Sequence, residues 1–454
     1  MTYFLFSQTR SQLLLLMLIL LASVVACEFQ ATELAPGTDD GGLQPTQAAQ
    51  VPTPVNTPEP SVIELPENNE DLPREATRAL TAWVLPQFEI EAESPAGNII
   101  KNQFSTFDAN HPEIQLIVEH KSMKGQGGAI DYFSTASNVA PNVLPDLMLV
   151  PHSVLPELVA QGIIYPLDDL LASADIQDFF PVADQLVTID GRRYGYPYAL
   201  SGLTHAAYNT AIYSGTLPSR LEQIVETTLK PAFPAAGLKG AALLLQLYID
   251  EGGQFYDEEG NLAFESTPML VALRRIQALR DSGAISDSIK SLSTHDEMWI
   301  QYKSGSSSLI FTNYNRFSTE YRQLPDLGFS QFPGSIGTLT PMVDGWVWVI
   351  SSADPARQAL ATELLSWMAN GPNMGEWTFA SQMLPARESA INRWPQDEYT
   401  QFLNAELERA TVKPELLNSN VGEILQGAMQ TLFATTNPPV QDIAENAVKA
   451  INMK

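Results

Sequence analysis

HPEIQLIVEHKSMKGQGGAIDYFSTASNVAPNVLPDLMLV, residues 111–150, is the stretch on which the fold class turns. Ile114 to Glu119 alternates apolar and polar side chains, the period of a strand with one buried face. A helix is predicted near Gly128 to Ala140, and Leu147 to Val150 is a short apolar run that suits a second strand. The pattern continues outward. Leu80 to Leu85 reads as a strand, and Ala96 to Asn110 as a helix with Ile100, Phe104 and Phe107 at helical spacing. Ser153 to Gln161 reads as the next helix. Strand and helix alternate, which argues for an α/β fold with a parallel sheet covered on both faces.

Farther along, Thr267-Pro268 carries helix-start chemistry, Leu270, Leu273, Ile276 and Leu279 share a stripe, and Gly283 closes it. Asp354-Pro355 opens another helix, with Ala356, Leu360, Leu364 and Met368 on one face and Gly371 after it. The last hundred residues read mostly as helix. No internal repeat recurs at a fixed period.

The N-terminus raises a different question. Cys27 is the one cysteine of 454 residues, so it cannot staple its own fold. Arg10 precedes an apolar run from Leu13 to Ala26, broken by Ser23, which has the length of a signal-peptide core and is short for a bilayer crossing. Val24-Val25-Ala26-Cys27 resembles a bacterial lipobox, so residues 1–26 are expected to be a lipoprotein signal peptide and Cys27 the acylated residue. An ordinary secretory signal with an incidental cysteine is the alternative. Residues 27–75 are rich in Pro, Thr, Gly and acid and poor in aromatics, with Pro52, Pro54, Pro58 and Pro60, and are expected to be a disordered tether. Its reach would be on the order of 35 Å.

Composition narrows the partners. With 25 basic and 52 acidic residues the formal charge is −27, and −28 without residues 1–26, which hold Arg10 and no acid. Such a surface repels phosphate backbones and anionic headgroups, so neither nucleic acid nor a basic patch on lipid fits. It also slightly disfavours a multiply anionic ligand. Residues 76–454 are too many for one typical core and suit two lobes.

Several segments, in order, resemble bacterial extracellular solute-binding proteins of the maltose-binding type. They are His111-Pro112-Glu113-Ile114, Leu144-Pro145-Asp146-Leu147 and Gly162-Ile163-Ile164-Tyr165-Pro166-Leu167-Asp168-Asp169. Asp190-Gly191-Arg192-Arg193-Tyr194-Gly195-Tyr196-Pro197 follows, with Tyr208-Asn209 behind it. Gly252-Gly253-Gln254-Phe255, Gly260-Asn261-Leu262-Ala263-Phe264 and Leu384-Pro385-Ala386-Arg387 complete the set. The resemblance spans Ala79 to the C-terminus. It departs from the common pattern in a long loop through Glu89, Glu91 and Glu93, and in Leu217-Pro218-Ser219-Arg220-Leu221, where many members carry a different signature.

The resemblance implies a type II periplasmic-binding-protein fold: two α/β lobes, a ligand cleft between them, and a helical C-terminal region. It places chain crossings near Tyr198 to Ser201, Ile310 to Thr312 and Asp344 to Trp346. The expected division is 76–199 in lobe 1, 200–310 in lobe 2, 311–344 back in lobe 1, and 345–454 in lobe 2 with the C-terminal helices. The implied function is capture of a small polar solute, a carbohydrate above all, for an ABC permease and its ATPase, on the extracytoplasmic face of the membrane and as a monomer. A receptor for a sensor kinase or chemoreceptor is the rival, and an exported glycoside hydrolase a third reading.

Sugar sites combine aromatic faces with polar groups that satisfy hydroxyls. Trp346 and Trp348, two apart in a strand, point to one side; Trp346 is expected to stack on ligand and Trp348 to pack, though both in the core is the plainer alternative. Tyr314, Asn315 and Trp83 stand where cleft residues are expected, with core packing as the alternative. Ser122 and Met123 open the Ser122–Gly128 loop, which offers backbone N–H groups at a helix start or is a plain turn. His152 and Tyr198 complete the set, and Asp344 either accepts from hydroxyls or fixes the hinge.

Other chemistries find little support. The histidines at 111, 120, 152, 205 and 295 are scattered, so no zinc site is expected, and no nucleophile elbow or P-loop is present. Asp257-Glu258-Glu259-Gly260-Asn261 fits a hairpin turn better than a calcium loop. No cofactor, metal or catalytic residue is expected.

Overall fold

Strand β1 (Arg78–Val84) lies between β2 (Ile114–His120) and β3 (Leu147–Pro151) and is parallel to both, as the alternation along the sequence requires. The computed structural model describes residues 62–63, 78–85, 88, 93–122, 128–139 and 144–453. Cys27 and Met123 lie outside the described residues. Helix α1 (Pro95–Asn110) starts where Ser94 Oγ accepts the Gly97 N–H at 3.0 Å and Pro95 presets the first turn. Ile100, Phe104 and Phe107 form its buried stripe, and α2 (Ala129–Val139) makes the next crossover. Val62–Ile63, within the stretch expected to be tether, adds two antiparallel residues to the edge at β2.

The rest of this sheet is antiparallel, save for Thr411–Val412, which runs parallel to its neighbour. Its order is Val62–Ile63, β2, β1, β3, the strand Met342–Ile350, β4 (Tyr196–Ser201) and Leu384–Pro385, with Thr411–Val412 beside Met342 and Val343. Met342–Ile350 runs antiparallel to both β3 and β4 because it enters from the opposite end, out of the second lobe.

The second sheet has the order β7 (Leu327–Ser330), β5 (Thr204–Asn209), β6 (Leu309–Asn313) and Pro231–Ala232. It is covered by α3 (Gly237–Asp250), α4 (Ser266–Asp281) and α5 (His295–Lys303). The chain leaves the first sheet at Gly202–Leu203 and returns between Ser330 and Met342, into the strand β8 (Met342–Ile350). After β8, α6 (Pro355–Met368) and α7 (Gly371–Ser381) pack on α1. The final crossing follows Val412, and α9 (Asn420–Ala434) and α10 (Val440–Asn452) dock on α3 and α4, after α8 (Glu398–Arg409).

Two expectations change. Ile310 to Thr312 is no crossing, since β6 is an interior strand of the second sheet, and the segment 311–344 stays with that sheet through β7. The region beginning at 345 starts in the first sheet, and it first meets the second sheet at α8, where the Tyr399 hydroxyl lies 3.0 Å from His205 Nε2 and the Phe402 ring 5.2 Å from that of Phe329. An apolar run at β6 reads alike in either lobe, because side-chain period does not say which neighbours a strand will pair with.

Candidate ligand cleft

Three crossings meet at one place, and side chains lock them together. At the first, Gly202 takes φ +80°, a left-handed conformation that glycine adopts without steric cost. Its N–H donates to Asn315 Oδ1 at 2.8 Å, and Tyr314 N–H donates to Leu203 O at 2.9 Å. Gln246 of α3 donates through Nε2 to Thr204 Oγ1 at 3.3 Å and to Thr340 O at 3.0 Å. Met342 N–H donates to the same Thr204 hydroxyl at 3.2 Å, so the first and second crossings share one side chain. The third is tied in by Lys413 N–H to Val343 O, 2.8 Å.

A charged cluster sits on this junction. His152, 6% exposed just past β3, has Nδ1 2.8 Å from Asp344 Oδ1 and Nε2 3.0 Å from Glu415 Oε1. Burial alone would lower its pKa, but the two carboxylates outweigh it and raise it to about 9. Burial opposes the charge on Asp344 as well. Its hydrogen bond to His152, then the charges of His152 and Lys413, hold that carboxyl down at about 2. Lys413 Nζ reaches Asp344 Oδ2 at 3.3 Å. Two cations and two anions therefore balance at the hinge.

Beside the cluster opens a cavity of about 560 Å³, within the usual range of small-molecule sites. Ser201, Val343 and Asp344 contribute from the first sheet. Thr204, Phe311 and Asn313 come from the second sheet, Lys239, Ala242 and Gln246 from α3, and His295 from α5. Asn315, Lys413 and Asn418 close it. The Asn315 amide nitrogen also donates to Gln382 O at 3.2 Å, and Gln382 lines a smaller recess of about 190 Å³ under Phe88 and Trp377. A third cavity, about 400 Å³, lies on the other side of His152 between Leu186, Phe255 and Pro414.

The expected site residues divide. Asn315 and Asp344 line the main cavity, and His152 stands behind Asp344 as its partner rather than as an open ligand group. Trp346 is half-buried, edge-on to Phe88 at 5.3 Å, while Trp348 is wholly buried. Ser122 is exposed, its carbonyl accepting the Ala129 N–H at 2.7 Å. Three residues belong to the core. Trp83 packs on Tyr132 and Phe133, Tyr198 stacks on Trp377, and Tyr314 stacks on Trp394 and Tyr399. Each of these rings lies on an element that turns it inward, where its area is worth more than at a wet surface.

The sequence reading missed Lys239, His295, Asn313, Gln246, Lys413 and Asn418. One signal for Lys239 existed: no acidic residue stands within four positions of it, in a chain with twice as many acids as bases. His295 is 8% exposed; burial, then repulsion from Lys239, pulls its pKa down to about 3, so it is neutral.

Two α/β lobes on three crossings, with a cavity where the crossings meet, define a hinged binding protein. The chain belongs to the bacterial extracellular solute-binding protein family, whose sequence profile matches residues 105–403. That is a family of binding proteins rather than enzymes, and it places the protein outside the cytoplasm. The sugar-binding protein MalE of Xanthomonas citri is similar in structure, with TM-score 0.66 and 16% identity over 83% of this chain and 96% of that one. The cyclic alpha-maltosyl-1,6-maltose binding protein of Arthrobacter globiformis gives 0.63 and 14% over 83% and 98%. A maltose-bound MalE protein of T. maritima gives 0.60 and 15% over 83% and 99%. No curated protein matches the sequence. Among the described residues no helix is long and apolar enough to cross a membrane.

Proposed function

We propose that this protein captures a carbohydrate in the cleft at the crossings and delivers it to the permease of an ABC importer. The observation that supports this is the composition of the 560 Å³ cavity: both sheets and the third crossing contribute, and its amides and hydroxyls, from Asn313, Asn315, Asn418, Ser201 and Thr204, suit a polyol. A solute touching both lobes stabilises the closed form by its differential affinity for it, and closure is the signal a transporter can read. Asn315 and Asp344 are the residues of the expected set that line this cavity, while Trp346 lies outside its lining, against Phe88. Likeness of fold to maltose-type proteins agrees with the reading. Calorimetry against mono- and oligosaccharides, paired with small-angle scattering, tests it: a binding sugar should shrink the radius of gyration, and absence of heat across the panel would sink the proposal.

Attachment to the membrane belongs to the same reading. Acylation of Cys27 would hold the body at the membrane, and an acidic surface leaves the acyl chain as the anchor. Mass spectrometry of the membrane fraction should find the N-terminal cysteine lipidated, and Cys27→Ala should release the protein from that fraction.

A further inference from the structure

We propose that the captured solute carries an anionic group, a carboxylate or a phosphate, and that Lys239 is the side chain that pairs with it. This rests on the reading that the cavity at the crossings is the ligand site, and it narrows the solute from sugars in general to acidic sugars.

Charge accounting around the cavity comes first. His152 and Lys413 are matched by Asp344 and Glu415, as described above. Lys239 is left over. Among the described residues no carboxylate forms an ion pair with it; Asp296, the acid whose field reaches it, is held by Arg316 Nε at 2.7 Å. Lys239 is exposed at the cavity, where partial desolvation and then the charge of Lys413 press its pKa downward. A bound anion would counter both.

Two neighbours point to the same spot. Lys239 stands in the first turn of the fourteen-residue helix α3, where Ala236 at the cap offers no side chain to the first-turn N–H groups, so the positive helix end joins the ammonium. Independently, His295 lines the cavity while 8% exposed, and its Nδ1 makes no well-aligned hydrogen bond, although the Phe311 backbone acts on the ring. A buried ring nitrogen without a well-aligned partner is uncommon in folded proteins, and a ligand oxygen would satisfy it in the tautomer that carries the hydrogen there.

Closure decides between neutral and anionic solutes. Bringing the lobes together expels water, and an ammonium sealed beneath a neutral sugar keeps only hydroxyl partners, whereas a carboxylate or phosphate gives it a counter-ion and charge-assisted hydrogen bonds. The protein as a whole carries −27, so the cation is placed against the prevailing field. A single anionic group is compatible with that field; a polyanion is not favoured by it.

The experiment is calorimetry on the full chain with matched pairs: glucose and glucuronate, galactose and galacturonate, glucose and glucose 6-phosphate, with inorganic phosphate alone as a further probe. The acidic member of at least one pair should bind about tenfold or more tightly than its neutral partner, and Lys239→Met, which keeps the apolar stem, should erase most of that preference. The uronate and phosphate arms tell the two anion chemistries apart. Thermal melting checks that the variant is folded, and Lys239→Arg should retain the preference if the variant with methionine does not fold. Equal binding of neutral and acidic partners, or a preference that survives Lys239→Met, overturns the inference and leaves the sugar-receptor reading standing. Saturable binding of inorganic phosphate with no sugar of either kind supports the anion and removes the sugar. Silence in every arm overturns both.

Discussion

On the first sheet five rings pass contact from one to the next: Trp346 meets Phe88 at 5.3 Å, Phe88 stacks on Trp377 at 5.5 Å, Trp377 on Tyr198 at 5.0 Å, and Tyr198 meets Trp348 at 6.0 Å. The cavity at the crossings, by contrast, sets lysines, amides, hydroxyls and one carboxylate among apolar side chains such as Phe311, Met342 and Leu417. Four of the five rings are buried, and only Trp346 keeps an open side. The difference follows from what each region must satisfy. Aromatic area gains most from leaving water, so a sheet between two helical layers absorbs it. Crossing strands leave their sheet partners, and their freed backbone groups need local polar partners, which gathers Asn315, Thr204 and Gln246 at the hinge.

The largest effect that separates the two regions should come from the wall. Trp348→Ala should cost about 3–5 kcal/mol of stability by urea unfolding, because a fully buried indole leaves a cavity that its neighbours fill only in part. Trp348→Phe should cost less, since the buried indole N–H has no partner to lose. Trp346→Ala, at the half-buried end, should cost less stability than Trp348→Ala. If the two alanine variants lose stability equally, the distinction between wall and rim fails.

A smaller effect, on the order of 2–3 kcal/mol, belongs to the hinge cluster and is read by pH. The groups facing His152 are Asp344 and Glu415, with Lys413 on the far side of Asp344. The folded pKa of His152, about 9, lies above the ordinary histidine value of 6.5, so its contribution is complete below about pH 6.5 and is lost as pH rises through 9. Asp344, held at about 2 against 3.8, contributes above pH 3.8 and loses that contribution as pH falls through 2. Melting temperature should therefore decline between pH 6.5 and 9, and His152→Gln should flatten that decline. An unchanged slope in the variant would show that the cluster holds the crossings without its charge.

How legible this was in the sequence also differs between the regions. The βα alternation from Arg78 to Pro151 shows in apolar periodicity, because each strand there is adjacent in the sheet to strands near it in the chain. Asp344 and Asn315 were found because the resemblance placed them near crossings. Tyr198, Trp83 and Tyr314 were expected in the cleft because a ring in a strand or at a helix start looks the same whichever way it points. Lys239 and Lys413 come from segments 174 positions apart in number, and only the third crossing brings them to one cavity. No local pattern carries such a meeting. The exchange of lobe between 311–344 and the start of 345–454 has the same origin, since strand pairing is a long-range fact.

The smallest test concerns the hinge itself. Asn315 Oδ1 accepts from Gly202 N–H, and its Nδ2 donates to Gln382 O, so one amide spans from the first crossing to the end of α7. Asn315→Ala removes both bonds and should cost about 1 kcal/mol, a typical net value when water can replace a partner. Asn315→Asp keeps the acceptor toward Gly202 and loses the donor toward Gln382, so it should fall between. Hydrogen exchange at the Gly202 amide locates the loss: it should speed up in Asn315→Ala and stay near the parent rate in Asn315→Asp. Faster exchange at every amide of β4 alike would mean that the first sheet has loosened as a whole, and the lock would then belong to the aromatic wall rather than to the crossing.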